Sequence, residues 1–357
     1  MSAAHSLILA EIRNKIGHIT LNRVSAFNAI NLQMVRELRE QLDLWAADNH
    51  VRAIVLRANG DKAFCAGGDI RDMYNNQKAG NQGNATFFRE EYALDQLIHA
   101  YPKPFIALVD GLVLGGGMGL IQGANFRVVT EKAVLGMPEV CIGYFPDVGS
   151  SYFLSRMPSA TGLYMGVTGN SINFADALEL GLADRYLAHQ DIADFDHKLD
   201  HLEWSADANR SIEQLLVSFA SNETSSAELT TKHRLINKHF SHNSLDKIFT
   251  SLANETDPAA QAWCQDTLVT LNSRSPLAMA VTLELLQRGK LLSLSECFNM
   301  EFHLGCRWFG NNDFLEGVRA LIIDKDKNPQ WNPAVYTELK DQQTQDFFTE
   351  SPTSTKQ

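Results

Sequence analysis

Apolar positions along the first 190 residues follow two different rhythms. "VRAIVL" (51–56) and "PFIALV" (104–109) are short, nearly continuous apolar runs, the mark of strands buried on both faces. Ile30, Met34, Leu38, Leu42 and Trp45 instead recur with a period of 3.6 and predict an amphipathic helix, with Asn28 or Asn31 as its cap. "SLILAEIRN" and "KIGHITLN" alternate partly with period two and predict two strands around Gly17. "ATFFREEYALDQLIHA" (85–100) places Phe87, Tyr92, Leu94, Leu97 and Ile98 mostly on one helix face. A short helix around Met118 to Ala124, two short strands in "NFRVVTEKAVLGMPEV" and a helix ending at Gly181 complete this part. The alternation of strand, loop or second strand, and helix predicts an α/β core over residues 1–190.

Beyond about residue 150 the texture changes. Helical patterns from 195 to 270 are separated by polar breaks such as "SNETSS" and "SHNS", and further helices are predicted over 275–325. The last fifteen residues, rich in Gln, Thr and Ser, are expected to fray. The resulting division is an α/β core, 1–190, and a helical C-terminal region, 191–357, packed on it. At 357 residues the chain is longer than one core usually supports, which fits such a division.

Composition narrows the partners. A formal charge of −11 argues against nucleic acid, and an anionic ligand would need a local basic patch. No apolar run is long enough to span a bilayer, and "MSAAHSLILAEIRNK" lacks the features of a signal peptide. Five scattered cysteines without a C-x-x-C pair fit a reducing compartment, so the expected location is cytoplasmic, with no membrane partner.

Two glycine-rich turns are the first candidate chemistry. "FCAGGDIRDMY" (64–74) follows the run at 51–56 and sets Gly67 and Gly68 before Asp69, and "GLVLGGGMGL" (111–120) follows the run at 104–109. A dinucleotide fingerprint starting at Gly117 would require glycine at 122, where Gln122 stands. What remains is a strand, three glycines and a helix, whose first N–H groups are unpaired and can hold an oxygen that becomes negative. The Gly67–Gly68 turn offers a second donor, and two such donors make an oxyanion hole.

An acid or base is then needed. Glu139 follows Pro138 in an apolar neighbourhood, where a carboxylate has few structural reasons to be. Asp147 precedes "VGSSYFL", so it is either a site residue or the N-cap of a helix. Serine chemistry lacks the G-x-S-x-G turn. His239 and His242 have no partner at ligand spacing and are expected on a solvated helix face, so no metal is expected. Cys65, with no nearby histidine, is expected to be a packing residue.

"LNRVSAFNAIN", "AFCAGGDIRDM", "GLVLGGGMGL" and "MPEVCIGYFPDVGSSYFLSRM", in this order and at these spacings, resemble the crotonase superfamily of acyl-CoA enzymes. The resemblance implies a ββα spiral, usually trimeric, with the thioester oxygen held by the N–H groups of Gly68 and Gly116. Hydratases of the superfamily use two glutamates. Here the second is Glu139, whereas the first position is Gly119. Glu139, Asp147 eight residues on, and Glu91 in "FFREEY" are instead similar to the 3-hydroxyisobutyryl-CoA hydrolase subgroup, as are the stretch 312–331 and the helical insertion around 210–256.

The resemblance thus implies hydrolysis of a short 3-hydroxyacyl-CoA in valine catabolism, with CoA as part of the substrate and no separate cofactor. Glu139 would act as nucleophile or as general base. Asp147 would bind the 3-hydroxyl or orient Glu139 and water, and Glu91 would support the site. Arg23, Lys62 and Arg71 are the candidate cations for the CoA phosphates. Val24 departs from the proline usual after "LNR" and touches the CoA-binding loop only. Two alternatives stand beside this reading. One is a hydratase or isomerase, opposed by Gly119; the other is a non-catalytic CoA-binding protein, opposed by the intact set of Gly68, Gly116, Glu139 and Asp147.

Overall fold

The computed structural model describes residues 6–219 and 227–349; the polar break "SNETSS" and residues 350–357 fall outside them. Residues 343–348 of the stretch expected to fray belong to a helix, Asp341–Phe348. Strands β1 (Ile8–Arg13), β2 (Ile16–Leu21), β3 (Ala53–Ala58), β5 (Phe105–Val109), β7 (Phe126–Val129) and β10 (Arg185–Tyr186) form one sheet in the order β1-β2-β3-β5-β7-β10. Only the β1–β2 pair is antiparallel. A second sheet of very short strands, β4 (Ala63–Cys65), β6 (Leu112–Leu114), β8 (Val134–Gly136) and β9 (Ile172–Asn173), runs in the order β4-β6-β8-β9. The α/β expectation holds.

The first hairpin differs from the sequence expectation. Its turn is Asn14–Lys15, both at positive φ (41° and 65°), the backbone that matches the twist of a two-residue hairpin. Gly17 lies inside β2, and a Cβ there would come 2.4 Å from the Trp45 ring, so glycine is required for packing. Trp45 belongs to helix α1 (Leu32–Ala47), whose predicted apolar stripe is buried throughout. Asn31 is its cap, accepting from Met34 N at 2.9 Å. Asn28 is buried and ties the loop together by donating to Asn59 O and Ala63 O.

The two glycine turns do not leave the long strands directly. After β3 the chain makes β4 before Gly67, and after β5 it makes β6 before Gly115. β4 and β6 are adjacent and parallel, with Ala63 opposite Leu112 and Cys65 opposite Val113, so both turns emerge at the same end of one small sheet. Gly111 permits the close approach, since a Cβ there would lie 2.8 Å from Lys62 O.

The chain divides into two compact units that interleave in sequence. One comprises residues 1–69, 89–136 and 171–232, the other 70–88, 137–170 and 233–357. A cut at residue 190 therefore does not separate them, because the chain moves between the units five times. The first unit holds both sheets and a core that includes Ile16, Val55, Ile106, Val128 and Phe195. The second is helical. Its longest helices are Pro258–Asn272, Pro276–Gly289 and Leu294–Trp308, each opened by a capping Asp or Ser and two of them with proline in the first turn.

Candidate active site

In the first unit the two glycine turns meet. Gly67 has φ +99°, and a Cβ on it would lie 3.2 Å from Leu114 O and 3.7 Å from Gly116 N. Gly68 is bridged to Ile30, with Ile30 N donating to Gly67 O and Asp69 N to Ile30 O. On the other turn Gly115 (φ 47°, ψ −118°) caps the short helix α4 (Gly116–Gln122). A Cβ on Gly116 would meet Glu91 Oε1 at 2.6 Å, Gly68 N at 3.3 Å and Ile30 Cδ1 at 3.4 Å. The space before Gly116 is thus faced by the Gly68 amide and a carboxylate, and only glycine leaves it open. Glu91 is buried on helix α3 (Gly83–His99), one turn before the equally buried Asp95. Burial first, and then these two charges, push the Cys65 thiol up to about 12, so Cys65 is an inert packing residue as expected.

In the second unit Glu139 opens a single 3-10 turn, Glu139–Ile142, directly after Pro138. Its side chain is buried, and Oε2 has no hydrogen-bond partner among the described residues. Burial, reinforced by the charge of Asp147, raises its pKa well above the ordinary carboxylate range. The turn is held from several sides. Gly143 (φ +68°) must lack a Cβ because one would lie 2.4 Å from Asp313 O, and a Cβ on Gly169 would strike Cys141 Sγ at 2.8 Å.

Asp147 is buried too, but it does not cap the helix that follows. That helix, α5 (Ser150–Phe153), has Gly149 at its cap and no side-chain cap bond. Its first N–H groups are taken by Glu301, from the helix Leu294–Trp308. Gly149 N donates to Glu301 Oε2 at 2.7 Å, Ser151 N to Oε1 at 2.8 Å, and the Ser151 hydroxyl lies 2.6 Å from Oε1. Burial raises the Glu301 pKa to about 8, with the Asp147 charge adding to it. Sequence reasoning missed Glu301. Its signal was a carboxylate on an otherwise apolar stripe of Cys297, Phe298, Leu304 and Trp308.

The three candidate cations differ. Arg23 is engaged inside its own unit, donating to Ala29 O at 2.9 Å and to Asp69 Oδ2 at 2.6 Å, so it braces a loop. Lys62 is exposed beside a cavity of about 180 Å³ lined also by Val24, Phe27, Asn28 and Asn59. Arg71 is exposed on helix α2 (Ile70–Lys78).

His239 is corrected: it is fully buried rather than on a solvated face, because it sits on the inner side of the helix His233–Phe240. Its Nε2 lies 2.8 Å from Glu255 Oε2 and 3.6 Å from Cys264 Sγ, and its Nδ1 lies 2.8 Å from Ser251 Oγ. This trio could be read as metal ligands. However, Glu255 already accepts Lys238 Nζ on both oxygens and the N–H groups of Thr256 and Asp257 on one. An ammonium at the ligand oxygens suits an internal ion pair better than a second cation.

The chain belongs to the enoyl-CoA hydratase/isomerase family, whose pattern matches residues 16–348. Among curated proteins it is similar to the mitochondrial 3-hydroxyisobutyryl-CoA hydrolase of Danio rerio, 37% identical over 96% of this chain and 89% of that protein. The human protein of the same name is 34% identical over 96% and 88%. Among solved structures it resembles a carnitinyl-CoA dehydratase from Mycobacterium thermoresistibile, with a TM-score of 0.89 and 32% identity over 98% of both chains. The fold is therefore crotonase-like, as the sequence resemblance implied.

Proposed function

We propose that this chain hydrolyses a short 3-hydroxyacyl-CoA thioester, 3-hydroxyisobutyryl-CoA before others, to the free 3-hydroxy acid and CoA. The observation that carries the reading is Glu139: a buried carboxyl with a raised pKa, one oxygen without a hydrogen-bond partner among the described residues, and a second carboxylate close enough to bias it. Such a group is poised to take a proton or to attack, and little else in its surroundings explains it. The hydrolase names of the relatives point the same way.

In this reading the Gly68 and Gly116 amides donate to the thioester oxygen as it becomes negative, and Glu91 supports that cradle. In one route Glu139 attacks the carbonyl carbon, forming an anhydride that water then cleaves to the acid and the Glu139 carboxylate, while a proton of that water goes to the expelled CoA thiolate. In the other it removes a proton from an attacking water and passes it to the thiolate. Asp147 accepts the 3-hydroxyl of the substrate or orients Glu139 and the water. Lys62 and Arg71 are the exposed cations available to the CoA phosphates. The reaction consumes only water, so no further cofactor enters the proposal. A trimeric state, a place in valine catabolism and a cytoplasmic location belong to the proposal as well. Among the described residues no helix is long and apolar enough to cross a membrane, and the Danio rerio and human relatives are named as mitochondrial.

A second reading, hydration of a 2-enoyl-CoA, is favoured by the likeness to a solved dehydratase and opposed by Gly119, which offers no second carboxylate in α4. Thiol release and loss of enoyl absorbance, followed on 3-hydroxyacyl, unsubstituted and 2-enoyl thioesters, separate the two. The hydrolase reading expects thiol release fastest from the 3-hydroxy ester; fast hydration without thiol overturns it.

A further inference from the structure

The segment from Gly143 to Ser151 carries Asp147 and has hydrogen bonds of its own, from Ser150 Oγ to Pro146 O at 2.6 Å and from Ser150 N to Asp147 O at 2.9 Å. Val148, a β-branched residue, sits at φ 54°, where such residues are rarely found, and Gly149 follows at φ 83°. Helix α5 is a single turn whose own cap residue, Gly149, has no side chain. The helix Pro276–Gly289 closes on Ser151, where a Cβ on Gly289 would strike Ser151 O, and one face of the helix Leu294–Trp308 holds the rest. Trp308 Nε1 donates to Gly143 O at 2.9 Å. Gly305 makes room for Tyr144, whose hydroxyl would lie 2.9 Å from a Cβ at that position. Phe298 packs on Gly149, where a Cβ would come 3.0 Å from its ring. Between them Glu301 accepts Gly149 N and Ser151 N on separate oxygens.

We propose that Glu301 is the positioning residue of this site: by fixing the N–H groups of Gly149 and Ser151 it sets the reach of Asp147, and so the preference for 3-hydroxyacyl over unsubstituted thioesters. The bonds are made to the backbone two and four residues beyond Asp147, so a shift of the clamp moves that carboxylate directly. The clamp works in either charge state. The Ser151 hydroxyl donates to a carboxylate, or accepts from a protonated Oε1, while both backbone donors keep an acceptor. A glutamine cannot do this, because its amide nitrogen must face one of the two N–H groups.

This inference rests on the role proposed for Asp147, so its test includes that residue. Glu301→Gln, Ser151→Ala, Asp147→Asn and the double variant Asp147→Asn/Glu301→Gln are compared as full-length purified chains. Each is assayed for thiol release from 3-hydroxyisobutyryl-CoA and isobutyryl-CoA. General destabilisation lowers both rates together and leaves their ratio unchanged. The expected result is that Glu301→Gln lowers the ratio of kcat/KM values about ten-fold, and Ser151→Ala lowers it less. The double variant should then be no less selective than Asp147→Asn alone. Should Glu301→Gln fail to fold, the Ser151→Ala ratio decides. If Asp147→Asn lowers the ratio while Glu301→Gln and Ser151→Ala leave it intact, the positioning role is overturned and the site reading stands. If Asp147→Asn itself leaves the ratio intact, the reading of Asp147 is what fails.

Discussion

A Cβ on Gly116 would lie 2.6 Å from Glu91 Oε1, closer than real Cβ atoms come to such neighbours. The glycine and the glutamate therefore divide one small space, and the amide of Gly68 faces the same space. Gly116→Pro removes the Gly116 N–H, and thiol release should fall by about 10²–10³, the cost of losing one oxyanion donor. Turnover assays on the folded variant check this; near-normal rates would place the oxygen elsewhere.

Glu139→Gln should keep binding of a CoA thioester, measured by calorimetry, and lower turnover at least about 10²-fold. Stability should not suffer. A carboxyl with a raised folded pKa is penalised at pH values where it must ionise, and the amide escapes that penalty, so melting at about pH 8 should be unchanged or improved. Turnover within a few-fold of the parent would make Glu139 a packing residue.

The acid limb of kcat/KM should follow the same carboxyl. The proposed step needs ionised Glu139, so activity should fall as pH drops through its raised pKa, and the limb should lie above the value of about 4.3 for an unburied glutamate. Asp147→Asn removes the smaller of the two causes of that rise, so the limb should move to lower pH. A pH–rate series on both proteins reads this, and an upward shift would contradict it.

Glu301 gives a stability prediction with a definite sign. Its pKa is about 8 in the folded chain against 4.5 ordinarily, so between those values the native state holds a proton the unfolded chain has released. That contribution is fully present below about 4.5 and is lost as pH rises through about 8. Thermal unfolding from about pH 5 to about pH 9 should therefore show a steeper loss for the parent than for Glu301→Gln. Parallel curves would mean that Glu301 ionises as an ordinary glutamate does.

Much of the architecture was legible because burial imposes simple periods. The stripe of Met34, Leu38, Leu42 and Trp45 predicted its helix, and the apolar runs marked β3 and β5. What escaped was set by contacts distant in sequence. β4 and β6 have three residues each, too few to show a period, yet they bring the glycine turns together. Gly17 looked like a turn and is a packing gap beneath Trp45. His239 looked like a surface residue because its partners, Ser251, Glu255 and Cys264, arrive from two later helices and the loop between them. Among the candidate site residues, Gly68, Gly116, Glu139 and Asp147 stand out from motif order. Glu301 lies outside every motif, and the division at 190 hid its helix among supporting parts.

The dependence of residues 143–151 on the helix Leu294–Trp308 also bears on how the molecule comes into being. A ribosome delivers Glu139 and Asp147 well before Phe298, Glu301 and Trp308, so the emerging chain carries the two proposed site carboxylates without a surface that shapes their segment. Until that helix is released the nascent polypeptide should be chemically silent toward thioesters. Stalled chains ending just before residue 294 should accordingly release no thiol, and activity should appear only once translation has passed residue 308.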